Sequence, residues 1–391
     1  MSMKKISEAI LGVGVDDTTI DLFESQYVVP HGVSYNSYLI FDEKVALMDT
    51  VDARGIEQWE KNLLAALDGR KVDYLIVSHL EPDHAGSIGR LVELFPEVTL
   101  VGNAKTFQML PQFFDELPVD ENHKITVAEG ESLSLGTHTL NFYMAPMVHW
   151  PEVMVTYESS EKILFSADGF GKFGALDYED PEGWVCEARR YYFNIVGKYG
   201  APVQALLKKA AGLDIRTICP LHGPVLKENL GYYIGLYDTW SSYKPEDKGV
   251  LVAYASIHGN TAKAAQKFAE MLRAKGVEKV SVMDLSRDDM AEAVEDAFRY
   301  DRLVLAACSY DGGVFPCMEE FLHHLKAKNY QNRKVALIEN GSWASTAGKV
   351  IAGMLEKSKN ITMLEKPVKI MSSLSEENLK ELDEMAEELM K

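Results

Sequence analysis

From Gly249 onward the apolar residues come in continuous runs, GVLVAYAS, KVSVMDL, RLVLAAC, KVALIEN and MLEKPVKI, alternating with stretches at helical spacing. A strand that is apolar at every position has no solvent face, so helices between the runs must cover both sides of its sheet. Residues 249–391 are therefore predicted to form a doubly wound parallel α/β domain. Ahead of it, between about Val28 and Asp168, the runs SYLIF, KVALMDT, DYLIVS, VTLVG, HTLNFYMAP, VMVTYES and KILFSAD are shorter, and turn residues join several of them directly. That pattern predicts sheets with some hairpins and helices on the outside. Asp180 to Tyr243 reads as mostly helical, and the polar stretch SSYKPEDKG (Ser241–Gly249) reads as a linker. Two domains follow, 1–245 and 249–391, in keeping with 391 residues.

Composition excludes several partners. The net charge is −19 and no Lys/Arg block exists to neutralise phosphates, which argues against nucleic acid and anionic lipid. No run of ~18 apolar residues suggests a membrane span. The opening MSMKKISEAILGVGVDDT lacks a signal-peptide apolar core, so a cytoplasmic location is expected. Cys186, Cys219, Cys308 and Cys317 are scattered and form no Cys-x-x-Cys pair, so a metal here would be held by imidazole and carboxylate.

Such groups crowd into His79-Leu-Glu-Pro-Asp-His-Ala-Gly-Ser87, directly after the run Tyr74-Leu-Ile-Val-Ser78. His79, Glu81, Asp83 and His84 would point apart on a regular helix, but in an irregular turn they can converge on two neighbouring centres. Candidates for the remaining ligands stand at other strand ends: His149 after NFYMAPMV, Asp168 after KILFSA, and His222 in CPLHGP. Taken singly, Asp168 fits a cap and His149 a structural histidine; beside the cluster, both read as ligands. His123, His138, His323 and His324 have no motif around them and are expected at the surface.

The His-x-Glu-x-Asp-His motif, with a later His, a strand-end Asp and a final His-Gly, resembles the metallo-β-lactamase-like domain of flavodiiron proteins. The resemblance implies an αββα sandwich in which one iron takes His79, Glu81 and His149, the other takes Asp83, His84 and His222, and Asp168 bridges. Zinc hydrolases of the same superfamily carry a histidine where Glu81 stands. A carboxylate there hardens the site and favours iron over zinc. His31, and Tyr191 or Tyr192, are candidates to give a proton or hydrogen bond to bound oxygen, with a simple turn role the alternative for His31.

The second domain opens with YASIHGNTAKAAQ, a strand, a loop and a helix. Hydroxyls and backbone N–H groups gathered at a helix N-terminus form an anion site. Gly-Lys-Ser/Thr and Gly-x-Gly-x-x-Gly are both absent, so the loop is neither a P-loop nor a dinucleotide turn. It resembles the phosphate loop of flavodoxins, which implies that Ser256, Ile257, His258, Gly259, Asn260 and Thr261 hold the phosphate of FMN. Two further strand-end loops fit an isoalloxazine: Ser309, Tyr310, Asp311, Gly312 and Gly313 after the third strand, and Asn340, Gly341, Ser342, Trp343 and Ala344 after the fourth. Trp343 is the better candidate to stack on the ring, and Tyr310 the second.

The resemblance spans essentially the whole chain. It implies an oxidoreductase that passes electrons through FMN to a diiron centre, where O2 is reduced to water or NO to N2O. It also implies a head-to-tail homodimer or homotetramer, because one short linker would leave the two cofactors of a chain far apart. No Cys-x-x-Cys pair follows the closing SEENLKELDEMAEELMK, so an external donor is expected, rubredoxin first and reduced F420 second. The alternatives are a binuclear zinc hydrolase with an attached flavodoxin-like domain, and an electron-transfer flavoprotein without metal.

Overall fold

The structure, a computed structural model, describes residues 4–114, 117 and 119–391. The chain forms two compact units: Met1–Tyr192 with Ala201–Tyr237, and Phe193–Gly200 with Asp238–Lys391. The division falls ahead of the polar linker. Arg333 holds the Tyr243 carbonyl at 2.8 Å, and Trp240 Nε1 donates to Glu246 at 2.7 Å, so Asp238–Glu246 packs as part of the second unit.

The first unit is a two-sheet sandwich. One sheet has the order Lys4–Lys5, Ile10–Gly12, Tyr38–Ile40, Ala46–Met48, Tyr74–Ile76, Thr99–Gly102, Lys124–Thr126; the other has the order Ser132–Ser134, Thr139–Met144, Met154–Glu158, Ile163–Phe165, Thr217–Cys219. Ile40, Met48, Ile76 and Val101 of the first sheet meet Phe142, Met154, Phe165 and Cys219 of the second in one buried core. Alternate residues of each strand supply that core, as period-two side-chain geometry requires. The outer face of the first sheet is covered by helix Ile56–Leu67, whose Trp59 is fully buried and reaches Ser37 Oγ at 3.2 Å. Helices Trp184–Tyr191 and Leu230–Ser241 flank strand Thr217–Cys219 in sequence, so the stretch that reads as mostly helical also contributes a strand.

The second unit is a parallel sheet in the order Val280–Asp284, Asp247–Ala255, Tyr300–Tyr310, Arg333–Asn340, Ile361–Met363, with Val368–Ile370 also paired to Arg333–Asn340. In chain order this is 2-1-3-4-5, the flavodoxin-like arrangement. The run MLEKPVKI is not one strand. It breaks around Glu365-Lys-Pro367 into two short pieces, because proline offers no N–H to a ladder and the charged pair gains nothing from burial. Among the described residues no helix is long and apolar enough to cross a membrane.

Candidate metal centre and flavin cleft

Strand Tyr74–Ile76 runs out into an extended His79-Leu80-Glu81, and Pro82 then starts the one-turn helix Pro82–Ala85. Residues two apart on extended backbone share a face, which turns His79 and Glu81 to one side, while the helical turn carries Asp83 and His84 to the other. Asp49 holds the entry to this loop. Its buried Oδ1 accepts Ser78 N at 2.7 Å, and burial pushes its carboxyl up to about 6. The His84 carbonyl accepts Thr50 N at 3.0 Å and Thr50 Oγ1 at 2.6 Å.

Around this loop the distant candidates converge in two sets, His79, Glu81, His149 and Asp168, and Asp83, His84 and His222, each with donor atoms within 4.8 Å of one another. Glu81 Oε2 lies 3.2 Å from His79 Nε2 and 2.9 Å from His149 Nε2. Asp83 Oδ2 lies 3.4 Å from His84 Nε2 and 3.2 Å from His222 Nε2. Asp168 spans the sets: Oδ2 is 3.3 Å from His79 Nε2 and 3.4 Å from His149 Nε2, whereas Oδ1 is 3.1 Å from His84 Nε2 and 3.7 Å from His222 Nε2. All but the partly exposed Glu81 are buried.

Burial pushes His79, His84 and His149 down, yet the facing carboxylates outweigh it and hold all three above the usual imidazole value, His149 at about 9. Asp168 is driven well below the carboxylate range against its burial by His79 and His84. Both oxygens of Asp83 and Oδ2 of Asp168 are buried without a hydrogen-bond donor. Buried carboxylates without donors require a cation, so the donor set fits two metal ions.

The second unit presents a cleft of about 630 Å3 at the carboxyl ends of its strands, within the range of cofactor sites. Helix Asn260–Ala274 starts there with Gly259 at φ +87 as its cap and no side chain on its first N–H groups, which leaves them open to an anion. Ser256 Oγ accepts Gly259 N at 3.1 Å. Ser256, Ile257, His258, Asn260 and Thr261 line the cleft from this side, Ser309–Gly312 from a second, and Asn340–Ala344 from a third. Gly259 and Gly313 do not line it. The first caps the helix, and the second pairs with Tyr310 in a short hairpin. Trp343 at the rim is 91% exposed and Tyr310 45%.

Comparison with known proteins agrees with both halves. The ODP family beta lactamase model matches residues 33–223, and the Flavodoxin domain model matches residues 251–370. The nitric oxide reductase of Moorella thermoacetica is 31% identical over 366 residues, covering 90% of each chain. The chain belongs to the flavodiiron protein family. The solved structure of rubredoxin oxygen:oxidoreductase from Desulfovibrio gigas superposes with a TM-score of 0.92 at 27% identity over 99% of this chain and 98% of that one. The flavodiiron protein from Giardia intestinalis shares the fold, with a TM-score of 0.92 at 24% identity over 100% and 96%. With reductases as relatives across both domains, the zinc-hydrolase reading falls away.

In this flavodiiron protein several residues around the candidate metal ligands escape a motif search. Glu152 Oε1 lies 2.7 Å from His79 Nδ1, and the Ser34 carbonyl accepts from His222 Nδ1 at 2.7 Å, so each Nε2 faces inward. Of the sequence candidates, Tyr191 is buried with its ring 5.4 Å from that of His222. Burial first, then Asp168, Asp83 and Glu81, push its phenol well above the usual value, so it remains an O–H donor. Tyr192 is buried against Tyr237 at 5.1 Å. His31 is exposed and stacks on Tyr178 at 3.6 Å; among the described residues the rings packed on His222 are Phe23, Tyr35, His84 and Tyr191. His138 is partly buried, with its side chain 12% exposed and held by Asp42. In the flavin cleft the additions are Cys308, Thr346 and Ser372; Thr346 N is anchored on Ser309 Oγ at 2.8 Å, and Ser372 Oγ pairs with Ser342 Oγ at 2.7 Å.

Proposed function

We propose that the chain takes electrons from an external donor through FMN bound in the second unit and reduces O2 to water, NO to N2O, or both, at two irons bound in the first. One iron would be held by His79, Glu81 and His149 and the other by Asp83, His84 and His222, with Asp168 available to both. The observation that carries this reading is the placement of Asp168, whose two oxygens face different imidazole sets. When bound, FMN supplies single-electron transfer and the iron pair supplies open positions for a diatomic gas.

The residues of this chain do the positioning. Glu152 and the Ser34 carbonyl hold His79 and His222 in the tautomer that turns Nε2 inward. Glu81 adds negative charge where zinc enzymes have a neutral imidazole, which favours iron. Phe23, Tyr35 and Tyr191 wall the second set and exclude water there, and burial with the nearby carboxylates keeps the Tyr191 phenol protonated. In the second unit the open amides at Asn260 and Thr261 receive the phosphate, and Trp343 and Tyr310 offer faces to the flavin ring.

The donor is rubredoxin, or failing that reduced F420, and the protein acts in the cytoplasm as a head-to-tail homodimer or homotetramer in which the flavin of one subunit serves the metal of another. The named relatives, a rubredoxin-oxygen oxidoreductase and a nitric oxide reductase, support this donor and these substrates. Anaerobic purification, iron and FMN quantification and exposure of the reduced protein to each gas test the reading. Two irons and one FMN per chain with rapid reoxidation support it; zinc without iron, or a flavin that neither gas reoxidises, overturns it.

A further inference from the structure

The outer face of the second sheet in the first unit carries a cavity of about 250 Å3. Val155, Leu164 and Ile218 floor it, on the side of the sheet opposite to Met154, Phe165 and Cys219 of the inter-sheet core. Its lining holds two polar side chains, and both are turned to backbone: Ser166 Oγ donates to Gly169 O at 2.7 Å, and Tyr237 Oη accepts Phe170 N at 2.6 Å. A water needs two to four polar partners, so an apolar chamber of this kind stays dry and takes apolar guests such as xenon. A charged or strongly polar metabolite would lose hydration there with nothing to replace it.

The position of the cavity gives it a function. Its inner wall is the Ser166–Phe170 loop that carries Asp168, together with Val148, the residue before His149. On the solvent side the lining includes Ile234, which is 37% exposed. Phe170 and Tyr237 line the cavity beside this loop and stack on each other, with centroids 4.2 Å apart. We infer that this cavity admits and holds the apolar diatomic gas consumed at the adjoining metal centre. The inference rests on the proposed gas reductase activity and adds the route by which gas gains access. A chamber in which O2 or NO is enriched over water raises the local supply without altering the chemical step.

The test uses the holoprotein and two readouts. Xenon, followed by crystal pressurisation or by its NMR shift, is expected to occupy this cavity in the wild type and to be displaced in Ala210→Phe and Leu207→Trp, which project into it. Stopped-flow reoxidation of the reduced variants should show a second-order rate constant with gas lowered at least about threefold, with iron content, FMN content and the rate at saturating gas unchanged. No xenon in the wild-type cavity, or filled variants that reoxidise at the wild-type rate, would overturn the inference. Wild-type protein that takes up xenon but is reoxidised by neither gas would instead count against the reductase reading and leave the cavity without its proposed guest.

Discussion

Oε1 of Glu152 sits 2.7 Å from Nδ1 of His79, with both side chains fully buried. The same oxygen accepts Leu80 N at 2.9 Å, so the carboxylate fixes the ring and the backbone of the ligand loop together. A carboxylate behind a metal-bound imidazole sets its tautomer and raises its basicity, and losing it typically costs about 10–100-fold in metal affinity. Glu152→Ala should therefore weaken iron at the His79 set by that range. Glu152→Gln, which can still accept from Nδ1–H, should lose less. Chelator competition on the purified protein measures both, and equal affinity in wild type and Glu152→Ala would remove the assigned role.

Glu152 also marks the boundary of what the sequence discloses. The candidate ligands cluster as His79, Glu81, Asp83 and His84, a density that is visible in the chain. Glu152, Ser34 and Asp49 each act alone from another segment, and a lone carboxylate or carbonyl has no local signature. The parallel sheet after Gly249 is legible because burial on both faces leaves continuous apolar runs. The N-terminal strands Lys4–Lys5 and Ile10–Gly12 are too short for periodicity to register, and their pairing is set by tertiary contact. His138 reads as a surface residue because its partner Asp42 lies far away in the chain.

Glu81→His tests the chemistry of the first set. The substitution replaces an anion by a neutral nitrogen donor, which moves metal preference from iron toward zinc. Metal analysis of protein expressed in mixed-metal medium should show a raised zinc-to-iron ratio. Gas turnover should fall at least about tenfold, equivalent to ~1.4 kcal/mol on the barrier. An unchanged metal ratio would mean that Glu81 does not set selectivity.

The Asp42–His138 pair gives a pH dependence away from the metal. Burial opposes ionisation of Asp42, but hydrogen bonds from His138 and Thr137 and from the Glu43 amide hold its carboxyl far below the usual range. Burial likewise lowers His138, and Asp42 with Glu161 more than restores it, leaving it raised. The Asp42 contribution is present above its unfolded value of about 3.9 and is lost as pH falls toward the folded one. The His138 contribution is complete below about 6.5 and is lost as pH rises through the folded value. The pair therefore stabilises most between about pH 4 and 6.5. Asp42→Asn should cost about 1–3 kcal/mol there, and less at pH 3 or pH 9, in denaturant titrations. A penalty independent of pH would exclude the ion pair as its source.

Gly259 separates backbone conformation from side-chain contact at the phosphate loop. Its φ is +87, and a Cβ built there would meet nothing within 4 Å, so Gly259→Ala introduces backbone strain without a clash. Gly312, at the hairpin tip on the opposite side of the cleft, has φ +75 and the same open surroundings. The penalty for a left-handed non-glycine residue is about 1–2 kcal/mol, and it falls on apoprotein stability where the loop keeps its conformation and on ligand binding where the loop relaxes. The two alanine substitutions should differ in ligand binding, because relaxation at Gly259 tilts the first free amides of helix Asn260–Ala274, whereas Gly312 lies in a different loop of the cleft, away from those amides. Flavin fluorescence quenching should show FMN affinity lowered about 5–30-fold in Gly259→Ala if the strain is released in the apoprotein and must be restored on binding. Riboflavin, which has no phosphate, should then bind the variant and the wild type equally. A loss of riboflavin affinity as large as the loss of FMN affinity would place the effect on the ring side of the cleft and remove the phosphate from the Gly259–Thr261 turn.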